Sequence, residues 1–98
     1  MTKIILVCNG GMSTAMMAKK INDIGEGEYF AEAFGDGEFM EHLEGCDIIL
    51  VGPQIRHQIP RIKTYVTEEI PVESINPRYY GLMNAKGVLE DIKKILNK

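Results

Sequence analysis

The segment V-C-N-G-G-M-S-T at 7–14 places a thiol, two adjacent glycines and two hydroxyls directly after an apolar run. A cysteine at the mouth of a glycine-rich turn can attack phosphorus or an electrophilic carbon as its thiolate. Gly10 and Gly11 allow positive φ and a close backbone approach. The amides of Asn9, Gly10, Gly11, Met12, Ser13 and Thr14 can therefore wrap a tetrahedral phosphoryl group. A helix starting after the loop adds unpaired N–H groups and a partial positive charge, which attract the same anion and favour the thiolate of Cys8. The alternative is a small buried hydrophobe ending a strand. Such a residue has no need of two glycines and two hydroxyls in succession.

The same thiol suits three chemistries. A low-molecular-weight tyrosine phosphatase has the loop C-x5-R, whose arginine clamps the transferred phosphoryl group, and Thr14 stands at that arginine's position here. No aspartate in a D-P context offers a general acid either. A loop that holds phosphocysteine without helping water to attack it fits a carrier, which must keep the group until the next partner docks. Beside the phosphatase-like enzyme, a module binding a small anion or nucleotide non-covalently in the same cradle stays open.

Other reactive side chains carry less. His42 lacks ligand spacing to Cys46, so no metal site is expected, and Cys46 is read as a structural residue ending a short helix. Arg56, His57 and Arg78 could steer a phosphorylated partner or lie as solvated surface. Gln54 could reach the phosphoryl site. Met12 and Met16 suit an adaptable docking surface, with core packing the alternative for Met16.

The elements that must position these groups follow from hydrophobic pattern. K-I-I-L-V at 3–7 is a continuous apolar run, as in a strand covered on both faces. Ser13 or Thr14 offers an N-cap hydroxyl. Met17, Ile21 and Ile24 follow as one face of a helix that stops near Gly25 and Gly27. A second strand is expected at 29–34, then a short helix burying Phe39, Met40 and Leu43. A third strand at 47–51 breaks at G-P-Q. Ile55, Ile59, Ile62 and Val66 mark a helix whose regular part begins near Pro60. After a fourth strand at 71–75 come the irregular N-P-R-Y-Y-G-L-M and a last helix from about Asn84, burying Val88, Leu89, Ile92, Ile95 and Leu96.

Strands alternating with helices predict an α/β fold, a three-layer sandwich with a four-stranded parallel sheet flanked by helices on both faces. Ligands bind such sheets beyond the carboxyl ends of the strands, where strand order reverses. That edge would collect the loops at 8–13, 35–36, 52–54 and 76–78, with Cys8 in the middle.

With 98 residues, 45% of them apolar, one domain spanning 1–98 is expected. A net charge of −3 disfavours nucleic acid as a partner. No apolar stretch approaches a membrane span, and the short run at 4–7 is no signal peptide, so no direct membrane insertion is expected. Two cysteines without a secretion signal suggest a reducing, cytoplasmic setting.

Three segments in order carry a resemblance that covers nearly the whole chain: I-I-L-V-C-N-G-G-M-S-T-A, then D-I-I-L-V-G-P-Q-I-R, then Y-G-L-M-N-A-K-G-V-L. They resemble the C-x-x-G-M-S-T/S, L-L-G-P-Q-V/I and Y-G-x-M-(N/D) segments of the IIB component of the bacterial phosphoenolpyruvate-dependent sugar phosphotransferase system, in its lactose/cellobiose/chitobiose family. The resemblance implies the same four-stranded parallel sheet. It implies that Cys8 accepts a phosphoryl group from a phosphohistidine of the IIA component and passes it to a sugar held by the membrane protein IIC. That sugar would be a β-linked disaccharide such as cellobiose, chitobiose or lactose. The loop from Asn9 to Thr14 becomes the phosphate cradle, with Asn9 and Gly10 at variable family positions that matter for their amides. No cofactor is expected.

Overall fold

The computed structural model describes residues 1–9 and 12–97. Four strands, β1 (Thr2–Cys8), β2 (Tyr29–Gly35), β3 (Ile48–Val51) and β4 (Val72–Ser74), form one sheet in the order β2-β1-β3-β4. Every neighbouring pair is parallel. The chain steps from β1 outward to β2 and then crosses to the other side for β3 and β4. Strand order therefore reverses between β1 and β3.

Burial on both faces explains the continuous apolar strands. Ile4, Leu6, Ile48 and Leu50 pack in one core with Met17, Ile21, Val88, Leu89 and Ile92. Those partners belong to α1 (Met12–Gly25) and to the last helix at Ala85–Ile95. The intervening residues Ile5, Val7, Ile49 and Val51 pack on the opposite face with Phe39, Ile55 and Ile62. The expected three layers are present. Each buried aliphatic side chain contributes about 1.5–3 kcal/mol relative to exposure.

Helix detail departs from expectation in several places. α1 begins at Met12, so Ser13 and Thr14 lie inside its first turn and do not cap it. Its buried row is Thr14, Met17, Ala18, Ile21 and Gly25, which leaves Ile24 exposed. The helix stops as expected, at Glu26 and Gly27 with positive φ. The short helix after β2 is a single 3₁₀ turn, Phe39–His42, that buries Phe39 fully while Met40 and Leu43 are half-buried. Cys46 falls beyond that turn, in the loop before β3.

After β3 a 3₁₀ stretch (Pro53–Gln58) precedes α2 (Ile59–Lys63), so the regular helix does begin at Pro60's first-turn position. N-P-R-Y-Y-G is not irregular. It forms α3 (Pro77–Gly81), with Asn76 as N-cap and proline at the helix start. The last helix, α4 (Ala85–Ile95), is capped by Asn84, whose side chain accepts from the Gly87 amide at 3.0 Å. Ile95 is exposed and Leu96 half-buried against the core.

The outer edge of β2 is closed by side chains. Asn22 Nδ2 donates to the Ala31 carbonyl at 2.9 Å, and the Ala31 amide donates to Asn22 Oδ1 at 2.6 Å. Four residues on, the Gly35 amide donates to Glu38 Oε1 at 3.0 Å and the Gly35 carbonyl accepts from the Glu38 amide at 3.1 Å. Asn22 and Glu38 thus occupy both main-chain groups of one edge residue each.

Candidate phosphoryl site at the strand ends

Cys8 ends β1 on the inner side of the strand-order reversal, paired with Gly35 of β2. On its other side Gly52, the first residue after β3, donates its amide to the Val7 carbonyl at 2.8 Å. By strand alternation Cys8 continues the row of Ile4 and Leu6, on the α1 side of the sheet. The residue is buried, at 7% exposure, and neither cysteine is in a disulfide.

Three residues separate Cys8 from Met12, where α1 begins. No acidic residue stands in the first turn of α1, so the positive end of the helix is not offset locally. Helix geometry leaves the first-turn amides, those of Met12, Ser13 and Thr14, without partners inside the helix. Gly10 and Gly11, the central residues of the expected cradle, lie outside the described residues. Asn9 is an exposed bend and Ser13 is exposed.

Thr14 has a different place from the one its type suggests. It is fully buried, and its hydroxyl shares a hydrogen bond of 3.1 Å with the Tyr80 hydroxyl on α3. A threonine bonded inward therefore occupies the position where a phosphatase loop carries its arginine. Met12 is 80% exposed and Met16 50%, so both methionines face solvent on the helix beside Cys8, and Met16 is not a core residue.

The remaining edge residues distribute as follows. Gln54 is exposed, with Oε1 on the Gly52 side of the site, 3.4 Å from where a Cβ on Gly52 would stand. Arg56 and His57 are exposed on the 3₁₀ stretch leaving β3, and Arg78 is exposed on α3. His42 stacks on Phe34 at 4.0 Å between ring centroids. Among the described residues no group of His, Cys, Asp or Glu is arranged to hold a metal. Burial pushes the Cys46 thiol up, against a smaller lowering by Lys3, which marks it as a poor nucleophile.

Sequence reasoning missed a latch at the same edge. Arg61 donates to the Asp36 carbonyl at 3.1 Å and to Gln58 Oε1 at 2.7 Å, while Gln58 Nε2 donates to Asp36 Oδ2 at 3.0 Å. It fixes the loop after β2 to α2. Nothing in the local sequence around Arg61 signals a partner 25 residues away. Tyr80 was visible only as one letter of Y-G-L-M.

The family model described as "PTS system, Lactose/Cellobiose specific IIB subunit" matches residues 3–91. The oligo-beta-mannoside-specific EIIB component of the PTS system from Bacillus subtilis (strain 168) is 30% identical over 101 residues, covering 98% of this chain and 97% of that protein. Among solved structures, the lactose-specific IIB component domain from Streptococcus pneumoniae superposes with a TM-score of 0.80 at 19% identity, covering 95% of both chains, a likeness of fold. The cellobiose-specific phosphotransferase IIB component from Borrelia burgdorferi has a TM-score of 0.68 at 32% identity, covering 91% of this chain and 85% of the other.

Proposed function

Because the chain belongs to the lactose/cellobiose-specific IIB subunit family of the sugar phosphotransferase system, we propose that Cys8 is the residue through which it carries phosphate. The reading is supported by one arrangement above all: the thiol ends the strand beside the reversal of strand order, four residues before a helix start that bears no acid.

In the first step the Cys8 thiolate attacks the phosphorus of a phosphohistidine on the IIA component. An S–P bond forms, the N–P bond breaks with its electron pair staying on the ring, and the ring takes up one proton, equivalent to the one the thiol gave up, so that a neutral imidazole leaves. In the second step a sugar hydroxyl held by IIC attacks the same phosphorus. The O–P bond forms, the S–P bond breaks, the hydroxyl proton leaves to a base, and the thiolate is regenerated. Amides of Asn9, Gly10, Gly11, Met12, Ser13 and Thr14 solvate the phosphoryl oxygens in both steps, and the start of α1 favours the dianion. With threonine at position 14 no guanidinium assists water, which suits a group that must survive between partners.

The sugar proposed is a β-linked oligosaccharide, in keeping with the lactose, cellobiose and oligo-β-mannoside specificities of similar proteins. Residues 1–98 act as one domain in this reading, and the protein works in the cytoplasm, where IIA and the inner face of IIC meet. Among the described residues no helix is long and apolar enough to cross a membrane.

Intact-mass measurement tests the proposal. After incubation with phosphoenolpyruvate, the general phosphotransferase proteins and IIA, the chain is expected to gain one phosphoryl group, and Cys8→Ser none. Addition of IIC membranes and sugar should remove it. Full transfer by Cys8→Ser overturns the assignment. Anion binding without any mass gain identifies a non-covalent module, and turnover of an aryl phosphate a phosphatase.

A further inference from the structure

The partly buried hydrogen bond between Thr14 and Tyr80 joins the first turn of α1 to a helix 66 residues later in the chain. Thr14 is fully buried, so its hydroxyl faces the interior and does not meet a phosphoryl group arriving from solvent. The part of Thr14 available to the loop is its amide. What fixes that amide is therefore the question the hydroxyl answers.

Tyr80 is itself rigidly held. Its amide donates to the Asn76 carbonyl at 2.9 Å, and Asn76 Oδ1 accepts from the amides of Arg78 at 2.9 Å and Tyr79 at 3.4 Å. Downstream, the Asn84 amide donates to the Tyr79 carbonyl at 2.8 Å. Gly87 completes the clamp, because a Cβ there would stand 3.0 Å from the Tyr79 ring and 2.8 Å from Asn84 Nδ2. A five-residue helix is thus pinned between the end of β4 and the start of α4, and its Tyr80 side chain packs on the core under α1.

We infer that Tyr80 is a positioning residue for phosphoryl transfer at Cys8: its hydroxyl, through Thr14, sets where the first-turn amides of α1 stand relative to the thiol. This rests on Cys8 carrying the phosphoryl group. Amide donors act on a transferred phosphoryl group only within a few tenths of an ångström of their proper place. A threonine in the first turn has no preceding helical turn to take its hydroxyl, so the hydroxyl is left to seek a partner elsewhere. Tyr80 offers a partner anchored outside the helix.

The test compares Tyr80→Phe, Thr14→Val and the double variant in the full chain, phosphorylated by phospho-IIA in rapid-quench experiments. Tyr80→Phe is expected to lower the rate at saturating phospho-IIA roughly ten-fold with KM for the donor within about two-fold, since binding surface is unchanged and amide placement is not. Thr14→Val should lose about as much, and the double variant no more than the worse single one, as for two residues acting through one bond. In the unphosphorylated variants, amide NMR signals of Met12, Ser13 and Thr14 should move while those of β1 and β3 stay. A wild-type saturating rate for Tyr80→Phe, a change confined to KM, or losses that multiply in the double variant overturns the inference and leaves the carrier function standing. A wild-type chain that takes no phosphoryl group on Cys8 overturns both.

Discussion

The amide of Gly52 donates to the carbonyl of Val7 at 2.8 Å, which brings the end of β3 alongside Cys8 just where strand order reverses. A Cβ at position 52 would lie 3.9 Å from the Cys8 Cβ, 3.5 Å from the Val7 carbonyl oxygen and 3.4 Å from Gln54 Oε1. These are ordinary contacts. The φ of −56° and ψ of 141° at Gly52 are open to any L-residue.

Gly52→Ala should therefore fold, with unfolding free energy within about 1 kcal/mol of the parent, because the smaller entropy of the unfolded chain offsets small adjustments. The added methyl narrows the space beside the thiol. Phosphoryl acceptance should slow roughly ten-fold, as a small displacement of the reacting group does. Denaturant unfolding and single-turnover phosphorylation, done side by side, would show whether the two effects separate; an unchanged rate would sink the claim.

Cys46 supplies a pH dependence with a definite sign. Burial raises its pKa above the ordinary 9.0, Lys3 opposes this, Asp47 adds to it, and a backbone hydrogen bond lowers it again. The neutral thiol is favoured in the native state, so below 9.0 this contribution to stability is fully present. As pH rises past that value the unfolded chain loses its proton first, and stability falls through the raised native value. Cys46→Ala should flatten this alkaline decline at a cost of about 1 kcal/mol near neutrality. Urea midpoints across the range would check it, and an identical decline in the variant would rule the cysteine out.

Much of this was legible in the sequence, and the exceptions share a cause. K-I-I-L-V and D-I-I-L-V read directly as strands because burial on both faces leaves continuous apolar runs, and Gly27 marked the end of α1. Thr14 misled: a hydroxyl after a glycine loop looks like a local cap, yet its partner is Tyr80, and no local pattern reports a bond across 66 residues. Asn76-Pro77 holds a helix-start signal that the tyrosines and Gly81 after it mask by making the segment look irregular. Met16 and Ile24 turned outward because the helix face is centred on Ala18 and Ile21, a choice made by the sheet beneath.

Asn22 tests the closure of β2 directly. Ala31 is 2% exposed, and both its main-chain groups are bonded to the Asn22 side chain. Asn22→Leu leaves a donor and an acceptor without those partners and should cost about 2–4 kcal/mol. Asn22→Asp keeps an acceptor for the Ala31 amide while losing the donor to its carbonyl, and should fall between. Equilibrium unfolding of the pair measures this, and a loss below about 0.5 kcal/mol for Asn22→Leu would contradict it.

Closure at Ala31 and again at Gly35 also limits the company the sheet can keep. An extended segment of another molecule laid along β2 would find its rungs already taken at both places, so the ladder cannot lengthen there. A protein proposed to meet one partner, release it and meet the next gains from a flank to which neither can adhere. Whatever docks on that flank must then be gripped by side chains, whose contacts are easier to undo than a shared sheet.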